Sequence, residues 1–467
     1  MLRGVAATSG DIVFVPTLAE PEMLGLLDAF QKTPDCSGAS FHLLFRRNLY
    51  RGREASFAAQ DNELLPVRNA FLSFRERLDG QDVRFYTDTE ELTRQYNRLG
   101  IFPFQTCPIP HTEPPLDDAT SEPVRVTYLG DARAEKGYQY FPPLVQNLWR
   151  NYAVQGKAKF VIQSNYNVEP GEAQAVVARS LLQAFPADRV ELILTACSSE
   201  RYRELLLSAG VMVLPYDAQQ YYARSSGVLI EALCAGIPVV VPSHCWLSKQ
   251  IGDPVSRYLA GLTNGPVAKV PHGSEWRMSR RTGQPQSAIL DWPVRLSGSG
   301  RFIETRLRVP PGQRYVVVRA AADWRPGCFA AIVCEQVNED GSRRLQKEIV
   351  SPAYEGYCWA GAMFGIDGAA QIVLRLANAF PDGPVAIREV TLAFVTGPGA
   401  GPLPRSAVGV VYREESSASI AEAVREVLDH YDHYRRTARE FASKVYHRHN
   451  AAALVEMLGK NVHGRVE

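Results

Sequence analysis

From Gly10 onward, short apolar runs alternate with segments of helical spacing: GDIVFVP, EPEMLGLLDAF, SFHLLFR, a long helical stretch around Asn62 to Leu78, VRFYTDT, EELTRQYNRL and a short run near Gln105 to Ile109. Such alternation predicts a parallel sheet with crossover helices, here of about four strands. Pro110 to Pro123, with four prolines and several acids, reads as a linker. The alternation then resumes through VRVTYL, KFVIQSN, a helix to Ala184, VELILTA, SERYRELLLSAG, VMVLPYD and IPVVVP. Five strands with four crossovers predict an open doubly wound sheet, and ligands of such sheets bind beyond the carboxyl ends of the strands. Gly130, Tyr216, Asp217 and Ser226 all fall at those ends.

Past Trp246 the pattern changes. From about Pro271 to Val395 the helical period vanishes and strands such as RFIETRLRV, RYVVVRAA, CFAAIVCEQV, QIVLRLANAF and VAIREVTLAFV follow one another, separated by PPG, NEDG, DG and PDG turns. This predicts an antiparallel, jelly-roll-like β-sandwich. VGVVYREE and an amphipathic helix from Ser417 to Leu428 then restore the α/β pattern, so the sandwich reads as an insertion. The expected domains are a shortened Rossmann-like domain over 1–115, a second Rossmann-like domain over 124–270 and 403–467, and the inserted sandwich over 271–402. Met1 to Ser9 are too few for a further βα unit, which takes roughly 20 residues. The first sheet is therefore expected to be short, with apolar edge surface near Ile12 to Val15 that invites a partner completing that domain.

Composition narrows the class. The chain of 467 residues is 46% hydrophobic and 22% charged with a formal net charge of +1, so it has no global attraction for nucleic acid. Its eight cysteines lack C-x-x-C spacing, and Cys234 and Cys334 lie inside apolar runs, which favours reduced core thiols. No signal peptide opens the chain and no apolar run approaches the ~20 residues that span a bilayer, so a cytoplasmic protein is expected, with room for peripheral contact at the inner membrane face. Arg46, Arg47, Arg51 and Arg53 cluster after SFHLLF, a solvated loop or a contact for a phosphorylated acceptor or anionic lipid. The pairs His430 with His433 and His447 with His449 have poor metal-ligand spacing, and no metal is expected. Trp292, Trp324, Tyr354, Tyr357 and Trp359 of the sandwich read as core or edge packing, with sugar stacking as the alternative. P-loop, G-x-S-x-G, H-E-x-x-H and dinucleotide signatures are missing from the sequence.

The candidate chemistry lies in two segments. In YYARSSGVLIEALCAGIPVVVP, Ser225 or Ser226 is a suitable N-cap before the helical run Leu229, Ile230, Leu233, and Gly227 lets an anion approach the helix start. Glu231, one turn further in, can accept hydrogen bonds from ribose hydroxyls, or is the surface Glu of an ordinary α/β unit. Gly236 ends the helix. In VRVTYLGDARAEKGYQYF, a strand runs into Gly130 and a turn with Lys136 and Gly137, a phosphate contact or a solvated turn lysine.

Both segments resemble the donor-binding signatures of the group 1 (family 4-like) retaining glycosyltransferases of GT-B fold, a helix carrying Glu followed by A-x-G-x-P-V-V and a G-R-x-x-x-x-K-G-like turn. Glu231, Lys136 and Gly137 match. Ala223 stands where the family has a first Glu, and Asp131 where it has an Arg that Arg133 replaces from two residues along; Arg224 lies beside the first gap. The resemblance implies transfer of a sugar from a nucleoside diphosphate-sugar to a glycan, lipid-linked or small-molecule acceptor, with retention and without metal, cofactor or protein nucleophile. Lys136 and Arg133 with the Ser226 and Gly227 amides would stabilise the leaving diphosphate, while Gly130, Asp131, Tyr216, Arg224, Ser225 and Glu231 would line the donor site. It also implies that the terminal segment YDHYRRTAREFASKVYHRHNAAALVEML crosses back onto the first domain. The missing family Glu and Arg keep open a catalytically weak sugar- or nucleotide-binding scaffold, and a GT-B epimerase would need acid–base groups that the sequence does not place.

Overall fold

The computed structural model describes residues 10–32, 39–52, 54–78, 80–112, 114, 123–243, 245–263, 268–269, 276–280, 285–286, 290, 292–296, 301–324, 330–350, 356–379, 384–396, 408–412 and 415–463. The architecture is α/β with parallel sheets and an additional antiparallel sandwich. The chain forms two compact units, one of Met1–Glu113, Gln219–Gly227 and Tyr446–Glu467, the other of Pro114–Ala218 and Val228–Val445.

The first unit is built on four parallel strands in spatial order β1 (Ile12–Leu18), β2 (Ser40–Phe45), β3 (Asp82–Thr87), β4 (Phe104–Thr106). Its helices are α1 (Glu20–Lys32), α2 (Leu65–Glu76) and α3 (Glu90–Asn97). Every residue of β2 is buried, the polar Ser40 and His42 included, because both faces of this strand are covered. On one face Phe41, Leu43 and Phe45 meet Phe71 and Phe74 of α2 and Leu92 and Tyr96 of α3. On the other, Leu44, Tyr86 and Cys107 pack against Leu454, Met457 and Leu458, which belong to a helix at the far end of the chain. The same face holds a buried polar trio, with His42 between Ser40 Oγ at 3.1 Å and the Tyr86 hydroxyl at 2.9 Å. At β1 the cover thins: Ile12 is 41% exposed, and among the described residues β1 pairs only with β2.

Among the described residues the second unit contains six parallel strands. β5 (Val124–Tyr128), β6 (Ala158–Gln163), β7 (Val190–Ile193), β8 (Val211–Val213) and β9 (Val239–Pro242) are joined by helices that include α4 (Phe141–Leu148), α5 (Ala173–Gln183), α6 (Ser199–Leu207) and α7 (Gly227–Cys234). α8 (Trp246–Thr263) follows, and then eleven antiparallel strands: β10 (Ala268–Lys269), β11 (Arg277–Arg280), β12 (Pro285–Gln286), β13 (Val294–Leu296), β14 (Arg301–Arg308), β15 (Tyr315–Trp324), β16 (Ala330–Asn338), β17 (Arg343–Val350), β18 (Gly356–Gly365), β19 (Ala369–Asn378) and β20 (Val385–Val395). Only then does β21 (Gly409–Tyr412) pair in parallel with β9, giving the order β21-β9-β8-β5-β6-β7. A Cβ at Gly409 would lie 2.1 Å from the Val239 carbonyl oxygen, so the edge strand closes on β9 through a glycine. The antiparallel strands make two sheets, β10-β20-β15-β18 with β13 beside β20, and β12-β11-β14-β19-β16-β17. Their facing residues, among them Ile303, Val318, Trp324, Ile332, Phe364, Leu374 and Ile387, form one core. α9 (Ser417–Asp429) and α10 (Tyr431–Arg448) follow β21, and α11 (Ala451–His463) is the helix that covers the first sheet.

Residues 219–227 group with the first sheet, although the sequence places them within the second α/β pattern, and residues 446–467 group with the first sheet as well. The physical reason is visible for the first segment. Tyr222 and Ala223 sit in the aromatic core of the first unit, the Thr89 hydroxyl donates to the Ala223 carbonyl at 2.6 Å, and Asn48 Nδ2 donates to the Gln220 carbonyl at 2.7 Å.

Candidate functional site

In the second sheet the strand order reverses at β5 and β8: the chain runs outward from β5 through β6 to β7, then returns to β8 on the other side. Loops leaving the carboxyl ends of such a pair frame the ligand crevice of doubly wound sheets. Here the two loops are stitched by main chain. Gly137 has φ +71 and packs so closely that a Cβ there would fall 1.8 Å from the Pro215 carbonyl oxygen, and the Asp217 N–H donates to the Glu135 carbonyl at 2.9 Å. Both requirements at position 137 exclude a side chain.

Gly130, at the end of β5, has φ +127, and Lys136 Nζ folds back to 2.8 Å from where its Cβ would be. The Gly130 N–H donates to Gln163 Oε1 at 2.8 Å, Gln163 Nε2 donates to Asn165 Oδ1 at 2.7 Å, and Asn165 Nδ2 donates to Asp131 Oδ1 at 3.1 Å. Asp131, at the family's Arg position, is thus part of the frame of this turn. Arg133 faces carboxylates: it pairs with Glu135 at 2.9 Å and stands 3.9 Å from Asp131. Beside the turn lies a cavity of about 250 Å³ lined by Ala132, Arg133, Tyr166 and residues 167–172. Tyr166 carries the Arg179 guanidinium 3.7 Å from its ring centroid. Tyr216, next to the Pro215 stitch, is fully buried.

Glu231 lies on α7, half-buried, and its carboxylate accepts the hydroxyl of Tyr202 from α6. Burial, then the charge of Glu231, pushes the Tyr202 hydroxyl above its ordinary range and the Cys234 thiol up to about 12. Both stay protonated at neutral pH, so they surround the carboxylate as neutral groups. Nothing in SERYREL marks Tyr202 as this partner, because the contact is between helices. Gly236, with φ +65, ends α7, and the Ile237 N–H donates back to the Ala232 carbonyl at 2.9 Å.

The remaining expected residues lie with the first unit. Ser225 directs its hydroxyl to Asp88 Oδ2 at 2.5 Å, and Arg46 donates to the same oxygen at 2.6 Å and to Ser225 Oγ at 3.2 Å. The Asp88 side chain is 2% exposed and that of Arg46 39%. This cluster stands at the carboxyl ends of β2 and β3 and is not foreseen from the sequence, where Arg46 reads as part of a solvated loop or of a contact for a phosphorylated acceptor or anionic lipid. Arg53 lies outside the described residues. Arg224 stacks over the Tyr221 ring at 4.7 Å, Ser226 is buried, and Gly227 opens α7.

Of the histidines, His433 is lowered to about 4 by burial and then by Arg436 and His430; His449 is lowered to about 4 by burial, His111 and Arg448. No cluster of three or more metal-ligating side chains occurs among the described residues, and no described helix is long and apolar enough to cross a membrane.

No protein-family profile matches the sequence, and no curated protein matches it. Solved structures do resemble it in part. The N-terminal domain of trehalose-6-phosphate phosphatase from Candida albicans aligns over 54% of this chain and 60% of its own, at 10% identity and a TM-score of 0.37. The catalytic domain of starch synthase IV from Arabidopsis thaliana aligns over 52% and 59%, at 12% identity and a TM-score of 0.33. The CBM22-1 xylan-binding domain of Xyn10C from Paenibacillus barcinonensis aligns over 27% of this chain and 86% of its own, at 8% identity and a TM-score of 0.19. The chain thus spans about 60% of the length of the first two structures.

Proposed function

We propose that the protein is a glycosyltransferase that takes a sugar from a nucleoside diphosphate-sugar and passes it, with retention and without metal or cofactor, to a carbohydrate or lipid-linked acceptor. The observation that carries this reading is the turn from Gly130 to Gly137, which folds the Lys136 ammonium over a glycine at the switch point of a six-stranded parallel sheet. A cation held there suits a diphosphate whose negative charge grows as the sugar leaves, because fixed positive charge stabilises that state more than the ground state. Glu231, held by Tyr202, is the proposed ribose ligand. The adjoining cavity of about 250 Å³ takes one end of the donor, being small for a whole nucleotide-sugar.

The second reading, a scaffold that binds a nucleotide but transfers sugar poorly, is favoured by Arg133, whose charge is already balanced by Glu135 and Asp131. The two separate by experiment. Thermal shift and calorimetry with UDP, GDP, ADP and their glucose conjugates are expected to show stabilisation by at least one diphosphate. Lys136→Ala should weaken that diphosphate about tenfold, ~1.4 kcal/mol, and the free nucleoside little. Equal losses for both would remove Lys136 from the phosphate site, and failure of every diphosphate to bind would end both readings. Release of free nucleoside diphosphate from the conjugate during turnover distinguishes the enzyme from the scaffold.

A further inference from the structure

Strand β15 alternates between two environments, as strand geometry requires. Val316, Val318, Ala320, Ala322 and Trp324 enter the sandwich core, while Tyr315, Val317, Arg319, Ala321 and Asp323 take the outer face. Helix α8 covers the first part of that face, with Leu259 and Leu262 packed on Tyr315, Val317, Met363 and Val395. Beyond Val317 the face becomes polar.

Arg319 stands opposite Gly361 of β18 and Thr391 of β20. A Cβ at Gly361 would lie 2.4 Å from the Val318 carbonyl oxygen and 3.1 Å from Arg319 Cγ, so glycine at 361 gives the arginine its room. Its guanidinium then rests 4.7 Å from the ring centroid of Trp359. Trp359 is opposite Ala321, whose neighbour on the other side is Glu389. Arg319, Trp359 and Glu389 are all half-buried. Burial lowers the Arg319 pKa against the opposing charge of Glu389. An exposed ion pair, Arg388 with Asp323 at 2.7 Å, borders the group. Trp324, by contrast, is a core residue whose Nε1 donates to the Cys358 carbonyl at 2.8 Å, and Trp292 packs against the core from its margin. Tyr354 and the Tyr357 side chain lie outside the described residues.

We infer that this outer face is a binding site for a neutral oligosaccharide, with a sugar ring laid on the exposed part of the Trp359 indole and its hydroxyls shared between Arg319 and Glu389. A pyranose presents C–H groups on its face and hydroxyls, both donors and acceptors, around its rim. The face offers the complement: an aromatic surface, a side chain that only donates and one that only accepts. The charges decide the class of ligand. Beside the indole, Arg319 and Arg388 are matched by Glu389 and Asp323. Arg295 of β13, exposed opposite Ala386, adds one positive charge at the margin of the face. The charges next to Trp359 therefore balance, and a neutral ligand suits that spot better than an anion. A hydrophobic peptide is disfavoured because the apolar half of the face is already covered by α8. The guanidinium braces one side of the indole, which fixes the ring before the sugar arrives and lowers the entropy lost on binding. The site is independent of the proposed donor site, since it uses none of those residues.

The test is electrophoresis of the full chain through native gels containing soluble starch, mixed-linkage β-glucan, xylan or dextran, followed by calorimetry with a hexasaccharide of whichever polymer retards it. Retardation by at least one neutral polymer is expected. Trp359→Ala should weaken the hexasaccharide at least tenfold and Arg319→Gln several-fold, while the thermal shift with nucleoside diphosphates stays as in the parent. Trp359→Phe, which keeps an aromatic face, should retain most of the affinity. If Trp359→Ala fails to fold, Glu389→Gln serves instead and should weaken binding several-fold. The proposal is overturned by no retardation in any of these gels, by retardation in a sulfated polysaccharide alone, or by unchanged affinity in the folded variants.

Discussion

The carboxyl ends of the two parallel sheets solve one problem in different ways. After β2 and β3, the loops of the first sheet are held by side chains: Arg46 and Ser225 both donate to one carboxylate oxygen of the buried Asp88. After β5 and β8, the loops of the second sheet are held by main chain, through Gly137 against Pro215 and the Asp217 N–H on Glu135. Side chains of Gln163, Asn165 and Asp131 frame the first of these loops, but the two loops meet through main chain. Charge stitching consumes the groups that make an edge reactive. The difference predicts opposite mutational behaviour. Gly137→Ala carries the largest effect, because an added Cβ meets a carbonyl oxygen 1.8 Å away at a φ of +71. Roughly 3 kcal/mol or more of stability should be lost, since the backbone cannot yield without breaking the stitch. Urea unfolding that shows a cost below about 1 kcal/mol would mean the two loops are not locked.

The next contrast concerns acid. His42 in the first sheet is lowered to about 4 by burial, then by Arg84, with Asp82 opposing. A histidine whose folded pKa lies below its unfolded value of about 6.5 leaves the unfolded chain binding more protons between the two. Its contribution is therefore complete above about 6.5 and is lost as pH falls through that window to 4. The loss should reach up to ~3 kcal/mol by pH 4. His42→Gln, which keeps a partner for Ser40 and Tyr86, should flatten that slope in urea melts taken from pH 7 to 4. An unaltered slope would assign the acid sensitivity to other groups, of which the buried His433 in the second unit is the first to test.

How far the sequence carried this reading follows the same division. The apolar runs located both parallel sheets, since a strand covered on two faces is largely apolar, as VVVP is, or hydrogen-bonds the polar groups it buries, as SFHLLF does with Ser40 and His42. Gly236 could be read as a helix end because a left-handed backbone leaves its mark on residue type, whereas Gly130 and Gly137 stood out through the resemblance of their turn. The sandwich strands were legible from their alternation and turns. By contrast, Asp88 looks like any acid before a helix, with Thr89 the actual cap of α3 through the Leu92 N–H at 3.0 Å. Its partners are 42 and 137 positions away, and no local period encodes such a distance. The same holds for Tyr202 and Glu231, and for the docking of residues 219–227 among the aromatics of the first unit. Ser225 fits the pattern of an N-cap, yet its hydroxyl goes to Asp88.

The sharpest effect for the comparison is expected at Asp88, set against a still smaller one at Lys136. Removing one partner of a buried pair costs several kcal/mol when both charges are enclosed. Here Asp88 is 2% exposed but Arg46 is 39% exposed, so water screens the arginine left behind. Asp88→Asn, similar in size, should therefore cost about 1–3 kcal/mol. The residues share one oxygen, so their effects should not add. A double-mutant cycle of Asp88→Asn with Ser225→Ala should give a coupling of roughly 0.5–2 kcal/mol. Lys136→Ala, at the matching edge of the second sheet, should change stability by less than about 0.5 kcal/mol, because the fold there rests on main-chain contacts. If Asp88 and Ser225 prove additive within about 0.3 kcal/mol, or if Lys136→Ala destabilises as much as Asp88→Asn, the two edges are not built on different principles.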